Sequence, residues 1–116
     1  MKDLNSEYVE IQVCKLLSQE KRSKILRTLE TFDDNDNYYI TTEFMQAGNL
    51  SDYICMQPDQ PLDEEHAKSV LKQIAKAVKV LHSRNIVHRD IKIENVLVKN
   101  FNRMTTYKLS DFGMAV

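Results

Sequence analysis

Apolar residues recur at helical spacing in the first segment. In "NSEYVEIQVCKLLSQ" (residues 5–19), Val9, Val13, Leu16 and Leu17 fall on one side, and Asn5 or Ser6 can cap the start. The run "SQEKRSK" is a polar connector. "ILRTLETF" and "YYITTEF" then flank "DDNDN", a hairpin-turn composition, which predicts strands over 25–32 and 38–43. "MQAGNL" reads as a loop and "LSDYICM" as a short helix. A longer helix is predicted over 63–82. Pro61 ends the loop before it, and acidic residues at 63–65 suit a helix N-terminus. Its apolar stripe is Ala67, Val70, Leu71, Ile74, Ala75, Val78 and Leu81, the mark of one buried face. The brief runs "IV" (86–87) and "VLV" (96–98) follow as expected strands. The loop "KNFNRMTT" leads to the strand "YKLS" and then to "DFGMAV".

Composition adds exclusions. The 116 residues are 42% hydrophobic and 28% charged, with a net charge of −1. That balance fits a small globular unit and argues against a nucleic-acid module working through a basic surface. No apolar run approaches the length of a membrane span, and "MKDLNSEYVE" lacks a signal-peptide core. Cys14 and Cys55 have no metal-like spacing and are expected to be two buried, reduced thiols of an intracellular, cytoplasmic protein, the nucleus included. Glycine occurs twice, at Gly48 and Gly113, so these residues contain no glycine-rich phosphate loop.

The charged block in "NIVHRDIKIENVLV" (85–98) is the candidate for chemistry. It puts Asp90, Lys92 and Asn95 on one short loop. Pairing of 96–98 with 107–110 would return Asp111 beside Asn95. A carboxylate and an amide oxygen are hard ligands suited to Mg²⁺, which keeps waters and phosphate oxygens in its shell. A lysine offsets phosphate charge, and a second carboxylate can orient a hydroxyl and accept its proton. Those are the parts phosphoryl transfer requires.

"HRDIKIEN" (88–95) followed by "DFG" (111–113) resembles the catalytic and magnesium loops of eukaryotic protein kinases. The resemblance covers most of the chain. "EIQVCKLL" is similar to the family's αC helix, which makes Glu10 the acid that pairs with a strand lysine, with Glu7 a weaker choice. "YYITTEFMQAGNL" resembles the fifth strand and interlobe hinge. Thr42 then stands at the gatekeeper position, Glu43 and Met45 offer backbone groups to adenine, and Leu97 forms part of the floor beneath it. By the same resemblance Asp90 is the catalytic base, Lys92 contacts the γ-phosphate, and Asn95 and Asp111 hold magnesium. His88 and Phe112 belong to the hydrophobic spine, and Glu94 is a solvated loop charge. Lys92, two residues after Asp90, is the serine/threonine pattern.

The resemblance implies an α+β, partial protein-kinase-like fold: 1–43 as partial N-lobe, 44–48 as hinge, 49–116 as partial C-lobe. It implies ATP and Mg²⁺ as cofactors and a protein Ser/Thr hydroxyl as acceptor, with no nucleic-acid or membrane partner. Arg89 before Asp90 implies control through activation-segment phosphorylation. The stretch departs from the pattern in several places. The strand lysine lies too far upstream to fall among the nine residues before Glu10, and "SQEKRSK" lacks His-Pro-Asn. "KNFNRMTT" is somewhat long. The expectation is therefore a serine/threonine kinase segment, inactive as an isolated chain. The alternative is a non-catalytic truncated relic or interaction module.

Overall fold

A computed structural model describes residues 4–19, 24–56, 63–101 and 104–115. Pro61, connector residues 20–23 and residues 102–103 lie outside the described residues, as do the side chains of Asn5, Ser6 and Glu7. The elements in chain order are α1 (Leu4–Leu17), β1 (Thr28–Asp33), β2 (Tyr38–Thr42), α2 (Leu50–Cys55), α3 (Glu64–Ser83), a 3₁₀ turn (Ile93–Asn95), β3 (Val96–Phe101) and β4 (Met104–Leu109). This is the α+β class that the resemblance implies. It has two separate antiparallel pairs, β1 with β2 and β3 with β4.

The helix ends follow local chemistry. The Ser18 hydroxyl donates to the Lys15 carbonyl at 2.7 Å and occupies an orphan acceptor where α1 stops. Asn49 caps α2 by accepting from the Asp52 N–H at 2.8 Å, and Asp63 caps α3 by accepting from the His66 N–H at 2.8 Å. "DDNDN" forms the expected turn, with Asp34 Oδ1 accepting from the N–H groups of Asp36 and Asn37.

Several expectations are corrected. The run 25–32 is not one strand. Ile25 bridges Leu109 in parallel, with Leu26 N–H on the Leu109 carbonyl at 2.9 Å, and the chain enters β1 only at Thr28. The register then shifts between Thr28 and Glu30, leaving Leu29 as an extra, exposed residue. Ile86 and Val87 form no strand, and the charged block ends in a 3₁₀ turn.

The buried face of α3 is also rotated from the expected stripe. Ile74, Ala77 and Leu81 are buried, whereas Ala75 is exposed and Leu71 is 70% exposed. Gln73 supplies the reason. Its Oε1 accepts the Tyr107 N–H at 2.9 Å and its Nε2 donates to the Thr105 carbonyl, so β4 lies against the Gln73–Ala77 side. Ala77, fully buried, lets the strand approach. The same core takes Val13, Cys14 and Leu17 from α1, Leu50 from α2, and Val96, Val98, Tyr107 and Leu109 from the β3–β4 pair. Cys14 is buried as expected, but Cys55, at the end of α2, is exposed; both are free thiols.

Candidate active site

The β3–β4 pairing runs from Val96 opposite Leu109 to Phe101 opposite Met104. It brings the two ends of the charged sequence together, because Asn95 precedes β3 and Ser110 follows β4. The Asn95 carbonyl accepts from both the Ser110 N–H at 2.8 Å and the Ser110 hydroxyl at 2.9 Å. Asn95 and Ser110 are buried, so these bonds are shielded from water. Asp111 is the next residue and is exposed at the mouth of the junction.

The Asn95 side chain turns toward Asp90. Its Nδ2 donates to the Asp90 carbonyl at 2.8 Å and to Asp90 Oδ2 at 3.1 Å. That commits the amide nitrogen and leaves Oδ1 as the side chain's acceptor oxygen. Lys92 Nζ stands 3.7 Å from Asp90 Oδ1, a loose ion pair on an exposed side chain. Asp111 Oδ1 accepts from the Gly113 N–H at 3.2 Å, and Oδ2 remains to bind elsewhere. An amide oxygen and a carboxylate oxygen suit Mg²⁺, which draws the rest of its shell from water and phosphate. Among the described residues no group of three or more His, Cys, Asp or Glu could hold a metal.

His88 pins the loop. It is 2% exposed, its Nε2 donates to the Ser110 carbonyl at 2.9 Å, and its Nδ1 accepts the Asp90 N–H at 3.1 Å. Phe112 packs edge-on against its ring at 5.3 Å between centroids. Two non-glycine residues here hold positive φ, Arg89 at 68° and Asp111 at 62°. Such conformations cost about 1–3 kcal/mol each and persist only where the surroundings over-determine them. Arg89 is held by its Nε donating to the Met114 carbonyl at 2.8 Å, and Asp111 by the burial of Phe112 beside it.

Glu10 reaches the same place from α1. It lines a cavity of about 190 Å³ with Cys14, Thr28, Thr42, Asp111 and Phe112. Thr42 and Asp111 thus line the same space. Burial pushes the Cys14 thiol up, the Glu10 charge adds to this, and a hydrogen bond with Thr28 offsets part of it. The thiol therefore stays protonated and unreactive at neutral pH.

Glu43, Met45 and Leu97 sit apart from that cavity's lining. Met45 is buried, Leu97 is half-buried on β3, and an antiparallel bridge joins Asn49 to Leu97. The 47–48 backbone pairs with Val98 through Ala47 N–H at 3.1 Å and the Gly48 carbonyl at 2.8 Å. Glu94 is exposed. The sequence reading missed Lys108, whose Nζ binds both Glu43 carboxylate oxygens at 2.7 and 2.9 Å. It also missed Ser110, which had no signal beyond its place before "DFG". Among the described residues no helix is long and apolar enough to cross a membrane.

Residues 1–116 match the protein-family model described as "Protein kinase domain". The chain is 39% identical over 107 residues to the "Probable serine/threonine-protein kinase zyg-1" of Caenorhabditis briggsae, covering 91% of this chain and 14% of that protein. It is 39% identical over 113 residues to the "Serine/threonine-protein kinase ppk6" of Schizosaccharomyces pombe, covering 97% and 14%. To the "Serine/threonine-protein kinase PSK2" of Saccharomyces cerevisiae it is 38% identical over 107 residues, covering 91% and 9%. The chain thus spans a small part of the length of these relatives.

Proposed function

The chain belongs to the protein kinase domain family, and from that premise we propose that it carries the catalytic and magnesium loops of a serine/threonine protein kinase. Protein kinases in general use ATP and Mg²⁺. The observation that carries the reading is the junction at Ser110, whose N–H and hydroxyl hold the Asn95 carbonyl while His88 holds the Ser110 carbonyl. It makes the loop bearing Asp90 and Asn95 continuous with Asp111.

In this reading Asp90 orients the acceptor hydroxyl and takes its proton. Its carboxylate is restrained by Asn95 Nδ2 and loosely paired with Lys92, so Oδ1 faces a cation that would lie along a phosphate. Asn95 Oδ1 and Asp111 Oδ2 would hold Mg²⁺, which when bound supplies charge neutralisation of the phosphates. Residues 44–48 serve as the hinge between a partial N-lobe (1–43) and a partial C-lobe (49–116). Glu43 and Met45 present backbone groups to adenine; the Met45 N–H makes no hydrogen bond among the described residues. Leu97 lies under the base and Glu10 marks the place of the lysine partner. The acceptor is a serine or threonine hydroxyl of a protein.

The test uses the full-length polypeptide that carries these residues, assayed with ATP, Mg²⁺ and serine- and threonine-containing peptides. Replacing Asp90→Asn removes the proton acceptor and is expected to lower turnover about 10²- to 10⁴-fold. Equal turnover in parent and variant would sink the assignment. A non-catalytic role is favoured for the isolated 116 residues by one observation, their total of two glycines and no phosphate-covering loop.

A further inference from the structure

Glu43 does more with its side chain than its backbone assignment needs. Its Oε1 and Oε2 receive Lys108 Nζ at 2.7 and 2.9 Å, and Oε2 also accepts the Arg27 N–H at 2.9 Å. Glu43 returns its own N–H to the Arg27 carbonyl at 3.0 Å. The pair is largely withdrawn from solvent, with side-chain exposures of 18% for Glu43 and 19% for Lys108. Partly buried pairs are screened less than surface ones, and removing one partner strands the other charge. The ends of this pair matter. Glu43 directly follows β2 and opens the 43–48 segment, while Lys108 lies on β4 three residues before Asp111.

The pair closes a triangle. Residues 24–27 bind β4 through the Leu26 N–H on Leu109 and the Leu109 N–H on the Lys24 carbonyl. They bind Glu43 through Arg27, and the Lys108 ammonium completes the third side. Burial lowers the Lys24 ammonium from its ordinary value, and the nearby positive charges of Lys108 and Lys76 add to this. Glu43 is the carboxylate paired with Lys108 at this corner.

We propose that Glu43 and Lys108 form a clasp that fixes the 43–48 segment against the strand leading into Asp111, making both of them positioning residues for a nucleotide that spans the two. This rests on the kinase reading above. Adenosine touches only the hinge end of such a site, whereas ATP with Mg²⁺ must reach both ends at once. Breaking the clasp therefore weakens the long ligand more than the short one, a difference that a merely structural ion pair would not produce.

The experiment uses the full-length polypeptide in four forms: parent, Glu43→Gln, Lys108→Met, and the exchange Glu43→Lys with Lys108→Glu. Glu43→Gln keeps an acceptor for Arg27 and nearly the same shape. Affinities for ATP with Mg²⁺ and for adenosine are measured without turnover. Amide hydrogen exchange is followed over 43–48 and 107–111. We expect each single variant to lose about threefold to tenfold in ATP–Mg²⁺ affinity, the scale of a partly screened pair, and less than about twofold in adenosine affinity. Both segments should exchange faster together, and the charge exchange should restore a large part of each loss. Unchanged ATP–Mg²⁺ affinity, parallel losses for both ligands, or no recovery in the exchanged pair would overturn the clasp. A parent that binds neither ligand would sink the kinase reading instead. The clasp then stands only if both segments exchange faster in each single variant, and falls if they do not.

Discussion

At Gly113 a side chain has little room. A Cβ built there would lie 3.2 Å from Asp111 Oδ1 and 3.8 Å from Glu10 Oε2. The glycine thus lets two carboxylate-bearing residues from α1 and the strand exit converge, and its own N–H holds Asp111. Gly113→Ala should move the Asp111 carboxylate by a few tenths of an ångström or more, a shift that a metal ligand tolerates poorly. The expected outcome is weaker Mg²⁺-dependent nucleotide binding with little change in thermal stability, since Asp111 is exposed. Titrating ATP affinity against Mg²⁺ concentration checks it. The same magnesium dependence in parent and variant would show that Asp111 is not a ligand. The convergence of Asp90, Asn95 and Asp111 on one junction was legible in the sequence because Asp, Asn and Lys have few other reasons to crowd between apolar runs. Their supports were not. Lys108 is an ordinary strand residue and Ser110 the residue after that strand; Lys108 finds Glu43 as its partner across the fold, and Ser110 finds Asn95 and His88.

Elements were legible where one period dominates. The α1 and α3 helices and the "DDNDN" hairpin follow from spacing and turn chemistry. The face of α3 did not, because a polar Gln73 turns inward to bond β4 while the apolar Leu71 turns out. The strand over 25–32 was overread because its β-branched and apolar residues serve two pairings, one with Leu109 and one with β2. The β1–β2 turn supports a pH prediction. The N–H groups of Asp36 and Asn37, then the Tyr39 hydroxyl, hold Asp34 below the ordinary aspartate value. A carboxylate depressed in the folded state contributes stability that is fully present above its unfolded value, about 3.9. That contribution is lost as pH falls through the lower folded value. Asp34→Asn removes the titration, so denaturant midpoints should fall less steeply between about pH 5 and pH 3 than in the parent. Identical slopes would mean that the turn is not held by the ionised form.

At the scale of the whole chain, in the proposed reading the 116 residues have reacting groups but no glycine-rich loop to fix a nucleotide over them. Asp90, Lys92, Asn95 and Asp111 sit around one junction, yet two glycines make no phosphate-covering loop. Holding reactants in one geometry can be worth roughly 7–11 kcal/mol of the barrier, so chemistry without positioning leaves little acceleration. Apolar surface points the same way: Phe44 is 80% exposed, Leu71 70% and Met104 72%. Spread over the 43–48 segment, α3 and β4, these side chains favour association when nothing covers them. The isolated chain is therefore expected to self-associate in solution and to transfer no measurable phosphate. Light scattering reads the first outcome. The second is read by incubating purified chain with radiolabelled ATP, Mg²⁺ and a peptide mixture beside its Asp90→Asn variant. Transfer that disappears in the variant would show that this core suffices for catalysis. Equal background in both would bear out the expectation that these residues, held without a phosphate-covering loop, do not catalyse by themselves.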